Sequence, residues 1–336
     1  MSIATTLFSA DVLKIDAAVV SAAIETEIRD IVFRRLNRKG VVVAISGGID
    51  SSVVAALCLK AMGSARVIGL MLPEADSSPD SLHFANLLAQ SLGIRTYVED
   101  ISNILNAAGC YQRRDEAIRK VMPEYEDGYK CKIVLPDQVN GGAYPIFSVV
   151  IQSPAGERTK ARLTLDSYLG VVAATNFKQR TRMMMEYYYA DLFNYAVAGT
   201  PNRLEYDQGF FVKNGDGAAD LKPIAHLYKT QVYELAAHLG IPEEIQKRPP
   251  TTDTYPLDQS QEEFYFPLPY DRMDLCLYAK NHDIQPEDVA PVVGLTPHQV
   301  ARVYHIIDST RSATRHLHHP PLLCENVPEV PHVVRS

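Results

Sequence analysis

Val41-Val42-Val43-Ala44-Ile45-Ser46-Gly47-Gly48-Ile49-Asp50-Ser51-Ser52 decides how this chain is read. Five continuous apolar, mostly β-branched residues fit a strand buried on both faces, as in a parallel sheet. They run directly into a turn of small residues. Val53 to Met62 then reads as a helix closed by Gly63. Outward from this unit the pattern repeats. Arg66 to Leu72 reads as a second strand, Ser81 to Leu92 as a helix ended by Gly93, and Arg95 to Asp100 as a third strand. Upstream, residues 11–36 carry apolar positions at helical spacing, ended by Asn37, Lys39 and Gly40. Alternating strands and helices predict an α/β fold with a doubly wound, mainly parallel sheet flanked by helices.

From about Cys110 to Gly170 the rhythm breaks. This stretch holds Pro123, Pro136, Pro145 and Pro154, with alternating runs such as Phe147 to Ile151. A hairpin is expected between Ser148–Gln152 and Thr159–Leu165, turning at Pro154 to Glu157. The α/β rhythm resumes near Asn176, with helices at Arg180 to Phe193 and Leu227 to Leu239 around a fourth strand at Tyr195 to Gly199. Arg248 to Pro269 reads as a loop and Thr296 to Ile307 as a last helix. The expected organisation is one α/β domain over 1–109 and 171–310, a β-rich insertion at 110–170, and an irregular tail at 311–336.

Composition narrows the class. No apolar run approaches the roughly 18–20 residues that span a bilayer, and Met1 to Ala10 lacks the basic and apolar regions of a signal peptide. A cytoplasmic protein without a membrane partner is expected. The five cysteines are odd in number and contain no C-x-x-C pair, which argues against a disulfide framework and against a zinc site. A net charge of −7 gives no broad hold on nucleic acid, so an anionic substrate must be met by a local basic cluster.

The small-residue turn lies between a strand and a helix start, where the backbone approaches closely and unpaired N–H groups face outward. A phosphate is its natural guest; the bland alternative is a turn that merely joins two elements. No lysine follows the glycines as in a Walker loop, and G-x-G-x-x-G is absent. Asp50 beside a phosphate either shares a magnesium ion with it or simply favours the helix N-terminus. Further clusters follow. Asn176 to Met183 places Lys178, Arg180 and Arg182 within five residues, against the alternative of a solvated helix face. Thr200 to Glu205 follows a strand, and strand carboxyl ends are where open α/β sheets bind ligands. Lys213 to Pro223 and Leu227 to Gln231 complete the set.

S-G-G-x-D-S is the loop of the ATP-pyrophosphatases, and the ordered series resembles the ammonia-dependent NAD synthetases. It comprises Ser46 to Ser51, Asn176 to Met183, Gly199 to Glu205, Gly209 to Asp220, Leu227 to Gln231 and Pro250 to Asp253. The resemblance covers about 12–107 and 170–275 and implies an adenine nucleotide alpha hydrolase-like fold. It also implies roles. Ser46, Gly47, Gly48, Asp50, Ser51, Thr200, Lys229 and Thr251 would bind ATP, and Asp50 and Glu205 would hold Mg2+. Asp50, Lys229 and Glu205 would form the catalytic group. Asn176, Arg180, Lys213, Asp216 and Asp253 would hold the dinucleotide.

The implied reaction joins nicotinic acid adenine dinucleotide and ammonia through an acyl-adenylate, using ATP and releasing AMP and pyrophosphate. Ser46 leaves no room upstream for the fused hydrolase domain of glutamine-using relatives, so free ammonia or a separate glutamine amidotransferase is implied. A homodimer is implied by the resemblance alone. Two departures stand out: the length of the 110–170 stretch, and Gln261 where the family's mobile loop carries an acid. They motivate a rival reading, a paralogous adenylating synthetase for another carboxylate. A non-catalytic nucleotide-binding module is a third; retention of Asp50, Glu205 and Lys229 weighs against it.

Overall fold

The computed structural model describes residues 8–135, 139, 147–251 and 254–330. Helix α1 (Ala17–Arg29) starts where the Asp16 side chain accepts from Ala18 and Val19 N–H groups, and it runs on through a wider turn to Arg35. Then come β1 (Val41–Ala44), α2 (Ile49–Met62), β2 (Val67–Met71), α3 (Pro79–Leu92) and β3 (Arg95–Val98). The next elements are α4 (Ser102–Ala107), α5 (Cys110–Arg119), β4 (Lys130–Val134), β5 (Ser148–Gln152), β6 (Arg158–Arg162), α6 (Leu165–Phe193) and β7 (Ala196–Val197). The chain continues with α7 (Arg203–Gln208), α8 (Lys229–His238), α9 (Glu243–Lys247), α10 (Gln261–Phe264), α11 (Tyr270–Asn281), α12 (Pro286–Val293) and α13 (Pro297–His318).

The main sheet is parallel in the order β3-β2-β1-β7. Its strands alternate between two cores. Val41 and Val43 pack with α1, α2 and α8 on one side, whereas Val42, Ile68, Leu70 and Val197 pack toward α4, α5 and α6 on the other. That is the doubly wound, mainly parallel fold expected. Helix α2 is buried on nearly every side, from Ile49 through Ala61, because α1 and α8 cover the face that the sheet does not.

Beside this sheet stands a second one, antiparallel, in the order β4-β5-β6. Cys131, Ile133, Val149 and Ile151 form its buried face against Ala117 and Ile118 of α5 and Val171 of α6. The hairpin is where the alternation placed it. The surrounding stretch is less β-rich than expected, since α5 lies within it and α6 begins at Leu165 rather than Arg180. The expected start was late because the first turns of α6 expose Leu165 and Leu169 and contain Gly170, a sequence without a clean apolar stripe. The last helix also corrects an expectation. Instead of stopping near residue 310 before an irregular tail, α13 continues to His318. Arg311 clamps it to Asp207 through two bonds of 2.8 and 2.6 Å, and Lys213 caps its end. These contacts come from residues about 100 positions upstream, so they are invisible to local periodicity.

Candidate active site

A cavity of about 440 Å³ opens at the carboxyl ends of β1, β2 and β7, lined there by Ala44, Ile45, Leu70, Met71 and Ala198. The turn after β1 forms its floor. Gly47 adopts φ +76°, and a Cβ there would lie 2.6 Å from the Ser81 carbonyl oxygen. Glycine therefore serves both the left-handed turn and the close seat on α3. Gly47 does not itself line the cavity; Ser46, Gly48, Asp50 and Ser51 do. The Ser51 hydroxyl donates to Gly48 O at 3.0 Å, and Ser46 Oγ lies 3.2 Å from Ser51 Oγ. The loop is thus tied to itself while the N-terminus of α2, a 14-residue helix, faces the cavity.

Asp50 meets Lys229 across this floor. Lys229 Nζ donates to Asp50 Oδ2, and Asn202 Nδ2 donates to Asp50 Oδ1 at 3.2 Å. Asn202 also caps α7 in a reciprocal pair with Glu205: Glu205 N donates to Asn202 Oδ1 at 3.1 Å, and Asn202 N donates to Glu205 Oε2 at 3.2 Å. One asparagine therefore sets the spacing of the two carboxylates. Lys229 is 2% exposed. Burial opposes its charge, but Asp50 and then Glu205 outweigh burial and hold the ammonium above its ordinary range. It remains a full cation in a dry place, the state that anionic phosphates require.

The donor set suits magnesium. That ion takes one or two carboxylates together with phosphate and water oxygens, and Asp50 with Glu205 supplies two carboxylates on one cavity. Because both Asp50 oxygens already accept hydrogen bonds, a metal there would share Asp50 with Lys229.

The other expected residues divide. Thr200, Thr251, Asn176 and Asp216 line the same cavity. Arg180 is exposed, its Nε donating to Lys213 O at 3.3 Å. Lys213 is spent on the end of α13, with Nζ 2.8 Å from His316 O and 3.1 Å from His319 O. Neither side chain lines the cavity. Asp253 lies outside the described residues. Residues without an assigned role also lie on this cavity. Arg182 lines the cavity, with Nε 3.4 Å from Leu72 O. Glu186 lies one turn further along α6, on the same cavity. Arg248 reaches back to the loop, donating to Gly47 O at 3.3 Å and to Ser81 Oγ at 3.0 Å while its guanidinium covers the Phe84 ring. The spacing of Thr175, Asn176, Gln179, Arg182, Met183 and Glu186 along one helical face was the signal that separates Arg182 from Arg180.

A parallel sheet that presents a glycine-rich turn and a buried cation to one cavity marks a nucleotide-binding α/β protein of the adenine nucleotide alpha hydrolase-like class. Comparison with known proteins narrows the class. The NAD synthase family model matches residues 20–124 and 152–316. The NH(3)-dependent NAD(+) synthetase of Rhizobium meliloti (strain 1021) is 55% identical over 324 residues, covering 96% of this chain and 97% of that one. Its namesake in Thermotoga maritima is 36% identical, covering 83% and 91%. Among solved structures, an NMN synthetase from Francisella tularensis superposes with a TM-score of 0.61 at 22% identity, covering 92% of this chain and 99% of that one. An NH3-dependent NAD synthetase from Campylobacter jejuni gives 0.60 at 23%, covering 93% and 100%. These two likenesses speak for the fold alone. The chain belongs to the NAD synthase family. The family match includes 110–124 and 152–170, so only 125–151 of the expected insertion lies outside it.

Proposed function

We propose that this protein is a C–N bond-forming ligase that makes NAD from nicotinic acid adenine dinucleotide and ammonia, driven by ATP. The observation that carries this reading is the meeting of Lys229, Asp50 and Glu205 over the Ser46–Ser51 turn, in a chain with an NH(3)-dependent NAD(+) synthetase relative 55% identical over nearly its whole length. The fold alone does not choose the carboxylate, since it is shared with an NMN synthetase; the high-identity relative favours the dinucleotide.

The chemistry follows from the charges. Hydroxide is a poor leaving group, so a carboxylate does not yield to ammonia directly. The substrate carboxylate attacks the α-phosphorus of ATP, and pyrophosphate departs. Ammonia then adds to the acyl carbon, loses a proton, and AMP leaves with the C–O bond electrons. The N–H groups of the Gly48 turn and Lys229 Nζ receive the departing pyrophosphate charge. Bound at Asp50 and Glu205, Mg2+ would further draw charge from the phosphates. No side chain is required as a nucleophile; the cavity positions the reactants and excludes water.

Ammonia arrives free or from a separate glutamine amidotransferase. A homodimer finds support in Leu165, Leu169, Met184, Tyr188 and Leu192, large apolar side chains exposed along α6. No described helix is long and apolar enough to cross a membrane, and a cytoplasmic location is part of this proposal.

Pyrophosphate release from ATP, measured with magnesium, ammonium and the dinucleotide, tests the reading. Release is expected to require the dinucleotide and to match NAD formed, and Asp50→Asn is expected to lower it at least a hundredfold. A folded wild-type protein that binds ATP but ignores this dinucleotide would point to a different carboxylate.

A further inference from the structure

The cavity has a second acidic end that the phosphate chemistry leaves unused. Glu186 is 6% exposed and lines the cavity from α6, yet it has no hydrogen-bond or ion-pair partner among the described residues. Asp216 faces the same space from the turn at 212–217. That turn sits hard against α6: a Cβ on Gly215 would lie 2.9 Å from Gln179 Cβ and 3.1 Å from its backbone carbon. Asp216 is held there by the Val212 N–H at 2.7 Å. The nearest cations, Arg182 and Lys222, attract these acids, Arg182 both of them and Lys222 Asp216, and each also donates to a backbone carbonyl. Arg182 Nε points to Leu72 O, and Lys222 Nζ donates to Gly217 O at 2.7 Å beneath the faces of Tyr206 and Phe211.

A buried carboxylate and a half-buried one, facing one largely apolar cavity, disfavour a phosphate and invite a further cation. Phe210, Phe211 and Met183 line the same cavity. Of the proposed ligands three carry positive charge: Mg2+, which Asp50 and Glu205 would hold at the other end of the cavity, ammonium, and the N-alkylated pyridinium ring of the dinucleotide. A flat ring needs apolar walls as well as a counter-charge, and ammonium does not. We propose that Glu186, supported by Asp216, is the counter-ion that recognises the pyridinium ring. This inference rests on the function proposed above; the new element is the recognition of ring charge by Glu186. Burial and then Asp216 push the Glu186 carboxyl up to about 8, and burial raises Asp216 to about 6. A bound cation reverses that cost, since it favours both charged forms.

NAD and NADH make the test, because they differ in ring charge and little in shape. Binding of each is measured by calorimetry, without turnover, on wild type and Glu186→Gln. Wild type is expected to prefer NAD, and the substitution to shrink that preference about tenfold while leaving the KM for ammonium unchanged. Glutamine matches the neutral carboxyl in size, so the fold is retained; a thermal melt verifies it, and Glu186→Asp supplies a charge-keeping control that restores the preference in part. Equal preference in wild type and Glu186→Gln overturns the inference. So does a raised KM for ammonium with the ring preference intact, which would assign the site to ammonium. A wild type that makes NAD but binds NADH equally well defeats this inference alone, whereas one that makes no NAD defeats the proposed function.

Discussion

At the scale of single residues, the buried acids set how the protein answers to pH. Asp274 on α11 is fully buried; its Oδ2 accepts from Thr230 N at 2.8 Å at the start of α8, and its Oδ1 has no hydrogen-bond partner. Burial pushes its pKa from 3.8 to about 7. A carboxyl raised on folding contributes its stability in full below the unfolded value and loses it as pH rises through the folded value. Glu186 and Asp216 act in the same direction. Asparagine keeps an acceptor for Thr230 and cannot ionise. Thermal melts of wild type and Asp274→Asn are therefore expected to coincide near about pH 4 and to separate by a few degrees in favour of the variant by about pH 8. Parallel curves would show that Asp274 is solvated or already paired. The candidate site was partly legible at this scale. The small-residue turn and Asp50 are distinctive in residue type and local spacing, whereas Lys229 was singled out only by the resemblance of its motif. Arg180 and Lys213 were not separable from Arg182 in that way. All are cations near a motif, and only the helix face and the end of α13 decide which of them meets the cavity.

At the scale of elements, α6 joins the two sheets. One side of it packs Met183, Tyr189 and Ala190 under the parallel sheet, while Val171 meets the antiparallel one. Its contact with α5 is close: a Cβ on Gly170 would lie 2.9 Å from Ala117 Cβ. Gly170→Val is expected to cost about 1–3 kcal/mol by overpacking that seam, read as a fall in the denaturation midpoint. An unchanged or higher midpoint would mean that the helices separate cheaply. This packing explains why α6 was read short. A helix that touches a sheet, a second sheet, another helix and a cavity has apolar residues on several faces, and no single period emerges. The strands of the parallel sheet had the opposite fate. Buried on both sides, the two central strands β1 and β2 announce themselves as continuous apolar runs.

At the scale of the whole molecule, one buried ammonium gathers segments far apart in the chain. Lys178 Nζ bonds Glu74 Oε1 at 2.9 Å, Asp76 Oδ2 at 2.6 Å and Thr254 O at 2.8 Å, so all three of its protons are used. Arg114 of α5 shares Asp76, and Tyr111 donates to Glu74 Oε2 at 2.7 Å. The segment after β2, α5, α6 and the stretch before α10 thus meet beside the cavity. Lys178→Met leaves buried carboxylates short of a partner and is expected to cost about 3–5 kcal/mol, measured by denaturant unfolding; a loss below about 1 kcal/mol would show that water already screens the cluster.

The sequence by itself determined the parallel α/β core and the candidate phosphate turn, because both rest on short-range physics: the burial pattern of a strand, and the bare N–H groups at a helix start. Tertiary structure alone decided which charges face one another. Lys229 reaches Asp50 from 179 positions away, and Lys178 reaches Glu74 from 104. An ion pair depends on distance in space and on the dryness of its surroundings, and neither is written in the local order of residues.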